Sequence, residues 1–168
     1  LNRSAAYASI AVAVFLVGLK AWAAWTTQST AMLGSLADTG LDLVASLATL
    51  AGVWVASQPA DERHRFGHGK AEALAAMFQV VLISISALGL AFRSIEQFVV
   101  GARTESAAEG IGVSLAALAA TVLLLFWQRR VIRQTGSVAI ATDHVHYQSD
   151  VLLNLAVIAA LALDQFAG

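Results

Sequence analysis

Apolar residues run along this chain in five long stretches, and short polar connections separate them. The stretches cover about residues 5–25, 30–57, 71–100, 107–127 and 137–163. Each reaches the roughly 20 residues that a helix needs to cross a bilayer. None shows the period-two alternation of a membrane strand, and all are too long for one, so a closed barrel is set aside. The pattern predicts an all-α integral membrane protein, here a bundle of five transmembrane helices. Pro59 stops the second stretch, because a proline forces the preceding residue out of helical geometry. The chain has no internal repeat and no low-complexity tail.

The polar residues inside these stretches carry the information. Asp38 and Asp42 lie in the second, and His146 and Asp150 lie in the fifth. Members of each pair are four residues apart, so on a helix both face the same way. A charged group at the centre of a membrane helix costs roughly 2.5–3.5 kcal/mol on insertion scales, and such groups usually mark a pathway or a site. Three carboxylates and an imidazole brought together suit a divalent cation held tetrahedrally. One nitrogen donor among oxygens favours zinc, whereas an all-oxygen set would lean towards manganese or magnesium. Ligation needs neutral imidazole and ionised carboxylates, so metal and protons compete for the same groups. The bland reading is a polar cluster that joins helices, paired with Lys20 or with backbone carbonyls.

Composition agrees with the pattern: 58% of the 168 residues are hydrophobic and 12% charged, with a mean hydropathy of +0.72. That is too apolar for an ordinary soluble domain. A net charge of -1 and the lack of a long basic run argue against a nucleic-acid partner. There is no cysteine, which removes disulfides and thiolate metal sites. The first stretch lacks a small-residue cleavage site and does not read as a signal peptide. The chain begins at Leu1 and stops at Gly168 just after an apolar stretch, so a longer parent is expected.

Arg3, Arg63, Arg65, Lys70, Arg129, Arg130 and Arg133 fall at the N-terminus and in the second and fourth connections. Arg103 falls on the opposite side, with Arg93 near the end of the third stretch. The excess of positive charge on cytoplasmic loops therefore places the N-terminus in the cytoplasm. With that orientation Asp38 and Asp42 lie roughly 12 and 18 Å from the outer end of their helix at 1.5 Å per residue. His146 and Asp150 lie roughly 15 and 21 Å from the inner end of theirs. The depths permit the pairs to meet.

The second connection holds Asp61, His64 and His68, with Gly67 and Gly69 to allow turns. These three are either a surface metal site or part of a solvated loop whose charges set topology. Asp143, three residues before His146, either orients the imidazole as an acceptor or lies in a cytoplasmic vestibule. Lys20 snorkels or pairs with an acid, and Tyr147 and Gln148 hydrogen-bond the site or pack helices. Trp22, Trp25, Trp127 and Trp54 fit interfacial anchors.

Together these residues resemble the cation diffusion facilitator family, in its bacterial zinc and iron efflux branch. The resemblance rests on Asp38-x3-Asp42, on His146-Tyr-Gln-Ser-Asp150-Val-Leu-Leu-Asn154, and on Pro59-Ala-Asp61 leading into His64-Arg-Phe-Gly-His68-Gly-Lys70-Ala-Glu72. It covers nearly the whole chain. It implies six transmembrane helices in the complete fold, with residues 1–168 as the transmembrane domain up to the fifth and a cytoplasmic domain outside this sequence. It implies a homodimer in the bacterial inner membrane that exports divalent cations against protons by alternating access. Asp38, Asp42, His146 and Asp150 then resemble the transport site, and Asp61, His64 and His68 a second-connection site. Lys70 resembles a lysine used in charge interactions near the dimer interface.

The expected activity is a Zn2+/H+ antiporter, with zinc as transported substrate rather than resident cofactor, and not an enzyme. Fe2+, Cd2+ or Mn2+ is the alternative cargo. Rivals from other classes are a metal-free helical membrane module and an intramembrane metal-dependent hydrolase. The hydrolase would need a general base beside the metal, for which His-Glu-x-x-His is the usual signature, and the chain has none.

Overall fold

A computed structural model describes the backbone of residues 1–27, 30–100 and 107–167, and the side chains of residues 1–26, 33–92, 95–96, 113, 115–152 and 155. Among the described residues there are five helices: α1 (Asn2–Thr27), α2 (Thr30–Ala56), α3 (Lys70–Val100), α4 (Ala107–Thr135) and α5 (Val138–Ala167). No strand occurs among the described residues. Among them, α1 to α4 each contain a segment long and apolar enough to cross a membrane. The fold is thus the all-α membrane bundle that the hydrophobic pattern predicts. Arg103 lies outside the described residues.

Helix ends follow local chemistry. α2 stops at Ala56, short of Pro59. α4 continues past its apolar stretch through Gln128 and the arginines, which are good helix formers, and ends at Gly136. That glycine adopts a φ of 65°, and its N–H donates to the Ile132 carbonyl at 2.8 Å. Only a residue without a Cβ takes this left-handed cap at no steric cost. Ser137 follows, and its Oγ accepts the Ile140 N–H at 3.4 Å to begin α5.

The helices close into a ring in the order α4, α1, α2, α3, α5 and back to α4, and α5 also touches α1 and α2. α5 therefore contacts each of the other four helices. The apolar core sits at the end of the bundle that holds the start of α1 and the α2–α3 and α4–α5 connections. It consists of Ala5, Ala6, Val53, Ala75, Val131, Ala139 and Ile140. Lipid gives no hydrophobic drive for helix association, so small residues that permit close backbone approach hold such cores. Gly52 makes the point: a Cβ built there would collide with the Cβ of Ala75 and stand 3.1 Å from the Ala71 carbonyl oxygen. Larger apolar side chains, among them Phe15, Leu88, Phe92 and Leu123, face outwards, as a lipid-facing surface requires. Trp22, Trp25, Trp54 and Trp127 are exposed as well.

Because Ala71 and Ala75 meet Gly52 through backbone and a first side-chain carbon, neither can swing aside. Gly52→Leu is expected to destabilise the bundle by about 1–3 kcal/mol, the usual cost of overpacking. A lower thermal unfolding midpoint in detergent would report it, whereas Gly18→Leu, where the added carbon meets nothing within 4 Å, should leave the midpoint in place.

Candidate metal centre

The ring brings α2 and α5 together at the two polar pairs. His146 Nε2 lies 2.9 Å from Asp42 Oδ1 and 3.9 Å from Asp150 Oδ2. One donor atom from each of Asp42, His146 and Asp150 lies within 4.8 Å of the other two. Asp38 is not in that tight group but lines the same cavity, one helical turn from Asp42. The cavity has a volume of about 240 Å³ and also receives Lys20 and Thr39. Lys20 does not snorkel to the interface. Its Nζ donates to Thr39 Oγ1 at 2.6 Å, so the ammonium stands among the carboxylates.

Asp143 does neither of the things the sequence suggests. It is 0% exposed, so it is not a vestibule residue, and its oxygens are taken up by side chains other than His146. Ser9 Oγ of α1 donates to Oδ2 at 2.6 Å, and Gln128 Nε2 of α4 donates to the same oxygen at 2.7 Å. Gln79 Nε2 of α3 donates to Oδ1 at 2.9 Å, and also to Thr49 Oγ1 of α2 at 2.6 Å. One carboxylate thus collects hydrogen bonds from three helices directly and a fourth through Gln79. Tyr147 adds a second tie: its hydroxyl is 2.9 Å from Ser46 Oγ and donates to the Ser9 carbonyl at 3.4 Å. Gln148, by contrast, is exposed. Sequence reasoning missed Ser9, Gln79 and Gln128. Their signal was a solitary polar residue within or at the edge of an apolar stretch, weaker than a spaced pair.

The second connection folds on Asp61. Its carboxylate accepts the backbone N–H of Arg63 at 2.9 Å and that of His64. Gly67, at a φ of 79°, donates its N–H to the His64 carbonyl at 2.9 Å and closes the turn. His64 Nδ1 then stands 3.2 Å from Asp61 Oδ1, and His68 Nε2 stands 3.6 Å from Asp61 Oδ2. The three residues bring one donor atom each within 4.8 Å of one another. His68 Nδ1 is buried without a hydrogen-bond partner. The backbone N–H of His64, and then that of Arg63, hold the Asp61 carboxyl below its ordinary value.

Two clusters of acid and imidazole, one between α2 and α5 and one on the connection between α2 and α3, each gather three side chains of the kinds that ligate metal ions. The chain belongs to the cation efflux family: residues 6–168 match the family's transmembrane domain. That family comprises transporters rather than enzymes. Among curated proteins the chain is similar to the cation-efflux pump FieF of Yersinia pestis (strain Pestoides F) and to that of Yersinia pseudotuberculosis serotype O:3 (strain YPIII). It is 45% identical to each over 164 residues, which is 98% of this chain and 55% of the relative. The chain thus spans about half the length of the curated relatives it matches.

Asp143→Ala would remove the acceptor shared by Ser9, Gln79 and Gln128, although each keeps one other acceptor. At about 0.5–1.5 kcal/mol net for each lost hydrogen bond, and more where one is to a charged group, the bundle is expected to be destabilised. Thermal unfolding in detergent measures this, and Asp143→Asn, which keeps one acceptor oxygen, should lose less.

Proposed function

We propose that this chain is the membrane part of an efflux transporter that carries zinc across the bacterial inner membrane in exchange for protons. Asp38, Asp42, His146 and Asp150 are its transport site. The observation that carries the reading is the convergence of Asp42, His146 and Asp150 within 4.8 Å inside a membrane bundle. In a tetrahedral site with bonds of about 2.1 Å, neighbouring donor atoms are about 3.4 Å apart. The separations of 2.9 and 3.9 Å around His146 Nε2 bracket that value, so small side-chain adjustments suffice to seat the ion. Asp38, one turn away along the same cavity wall, supplies the fourth donor. Protonation of the imidazole and carboxylates discharges the ion, which couples metal movement to protons. The helices alternate between inward-open and outward-open packings, biased by whichever cation is bound.

Asp61, His64 and His68 form a second zinc site at the membrane surface, and the unpartnered His68 Nδ1 supports a ligand there. Arg3 near the N-terminus, Arg63 and Arg65 in the second connection, Lys70 at the start of α3 and the arginines at the C-terminal end of α4 support a cytoplasmic N-terminus. The complete protein carries a sixth helix and a cytoplasmic domain and works as a homodimer. Lys70, exposed at the start of α3, is available to its interface.

Zinc calorimetry on the full-length protein across pH tests the transport site. Asp42→Ala and His146→Ala are each expected to abolish the intramembrane isotherm, and the wild type is expected to release protons as it binds. Variants that bind zinc as the wild type does would leave the pair as polar glue between α2 and α5. Cadmium, iron and manganese titrated alongside rank the cargo.

At the second site the depressed Asp61 carboxyl remains charged from below the ordinary value of about 3.9 upwards. Its charge therefore does not change between pH 6 and 8. Asp61→Asn should weaken zinc binding there by about tenfold, or roughly 1.4 kcal/mol. Because protons compete with zinc for the imidazoles of His64 and His68, the two proteins are compared by calorimetry at one pH, and unchanged affinity in the variant would remove Asp61 from the site.

A further inference from the structure

The outer side of the α4–α5 seam has a feature that cation transport does not use. Val122, Leu125, Phe126, Val151 and Leu152, together with the polar Arg129, His144 and Gln148, line a largely apolar groove of about 510 Å³ between the two helices. Towards the C-terminal end of α4 the groove runs into a second concavity lined by Arg129, Arg130, Arg133 and Gln134, and Phe126 and Arg129 border both. Arg129, Arg130 and Arg133 are exposed. Among the described residues none of the three pairs with an acid within 4.0 Å. The arginines lie at the end of a helix that is long and apolar enough to span the membrane, which is where lipid headgroups begin.

We propose that this composite groove binds one anionic phospholipid, with its phosphate on the three arginines and an acyl chain along the α4–α5 seam. Charge complementarity selects the occupant. Three guanidinium groups without an acidic partner suit a phosphate, which arginine can grip with two parallel hydrogen bonds. Basic pockets between membrane helices are a recurrent form of anionic-lipid site. A soluble anion would satisfy the arginines but leave the apolar half empty, and a zwitterionic lipid would place its own cation beside them. The groove also touches the interior of the bundle. His144 lines it, and His144 Nδ1 stands 3.3 Å from Gln128 Oε1, whose amide nitrogen donates to Asp143. A lipid seated there lies against α4, which carries Gln128, and α5, which carries Asp143, His146 and Asp150.

Native mass spectrometry of the delipidated full-length protein, with palmitoyl-oleoyl phosphatidylglycerol and phosphatidylcholine added at equal concentration, tests the site. The wild type is expected to retain phosphatidylglycerol preferentially. Arg130→Gln and Arg133→Gln, both exposed and safe for folding, should each reduce that preference about fivefold, and the triple variant with Arg129→Gln about a hundredfold. Val122→Trp, which fills the apolar half, should reduce retention of phosphatidylglycerol while leaving the helix content unchanged by circular dichroism. Equal retention of the two lipids by the wild type, or an unchanged preference in the triple variant, overturns the proposal. Loss in the arginine variants with full retention in Val122→Trp, together with displacement by inorganic phosphate, would identify an anion site that does not hold a lipid and overturns it as well.

Discussion

The Asp143 carboxylate, accepting from Ser9, Gln79 and Gln128, is the contact on which the rest of the bundle depends. In a membrane a helix gains little by turning one apolar face rather than another towards its neighbours, so hydrophobicity alone leaves its rotation loosely specified. A buried carboxylate removes that freedom. A rotation of α5 that turned Asp143 away from the three donors would leave its carboxylate without them in a medium without water. His146 lies three residues further along and Asp150 four beyond that, so the rotation that meets the donors aims both at α2. Asp143, His146 and Asp150 thus lie on one continuous face of α5.

Small residues and polar donors divide the work by depth. At the end of the bundle that holds the start of α1, alanines and Gly52 bring the backbones close. There Glu72 of α3 accepts from Ser137 Oγ at 2.6 Å and from Asn2 Nδ2 at 3.3 Å. Further along come the Asp143 ties and then the cavity with Lys20 and the aspartates. Packing is tight at the end of the bundle that holds the start of α1 and opens at the cavity lined by Lys20, Asp38, Asp42, His146 and Asp150.

Much of this was legible in the chain because the bilayer makes such strict demands. Apolar length predicted five helices, and the spaced pairs Asp38/Asp42 and His146/Asp150 marked the polar faces of α2 and α5. The i,i+4 spacing says that two side chains share a face, but not which neighbour they face. That is why Asp143, on the same face of α5 as His146, read as a partner of the imidazole when it belongs to Ser9, Gln79 and Gln128. Those three have no pattern among themselves, since each is one polar residue on a separate helix and only the tertiary arrangement makes them a set. Lys20 was open for a similar reason: a long flexible side chain reaches an interface or a cavity equally well. The turn at Asp61 depended on backbone N–H groups, which every residue except proline offers and no side-chain pattern displays.

Charge explains why such a cavity suits a divalent cation. Ligation requires ionised carboxylates and a neutral imidazole, so Asp38, Asp42 and Asp150 contribute three negative charges and Lys20 one positive charge. The cavity then holds two more negative than positive charges, and such an excess is more costly in a low-dielectric setting than in water. A divalent cation cancels it, whereas a monovalent one leaves half the imbalance. Lys20 therefore acts with the aspartates rather than against them. Its hydrogen bond to Thr39 lets it contribute charge to the site without occupying the space between Asp42, His146 and Asp150.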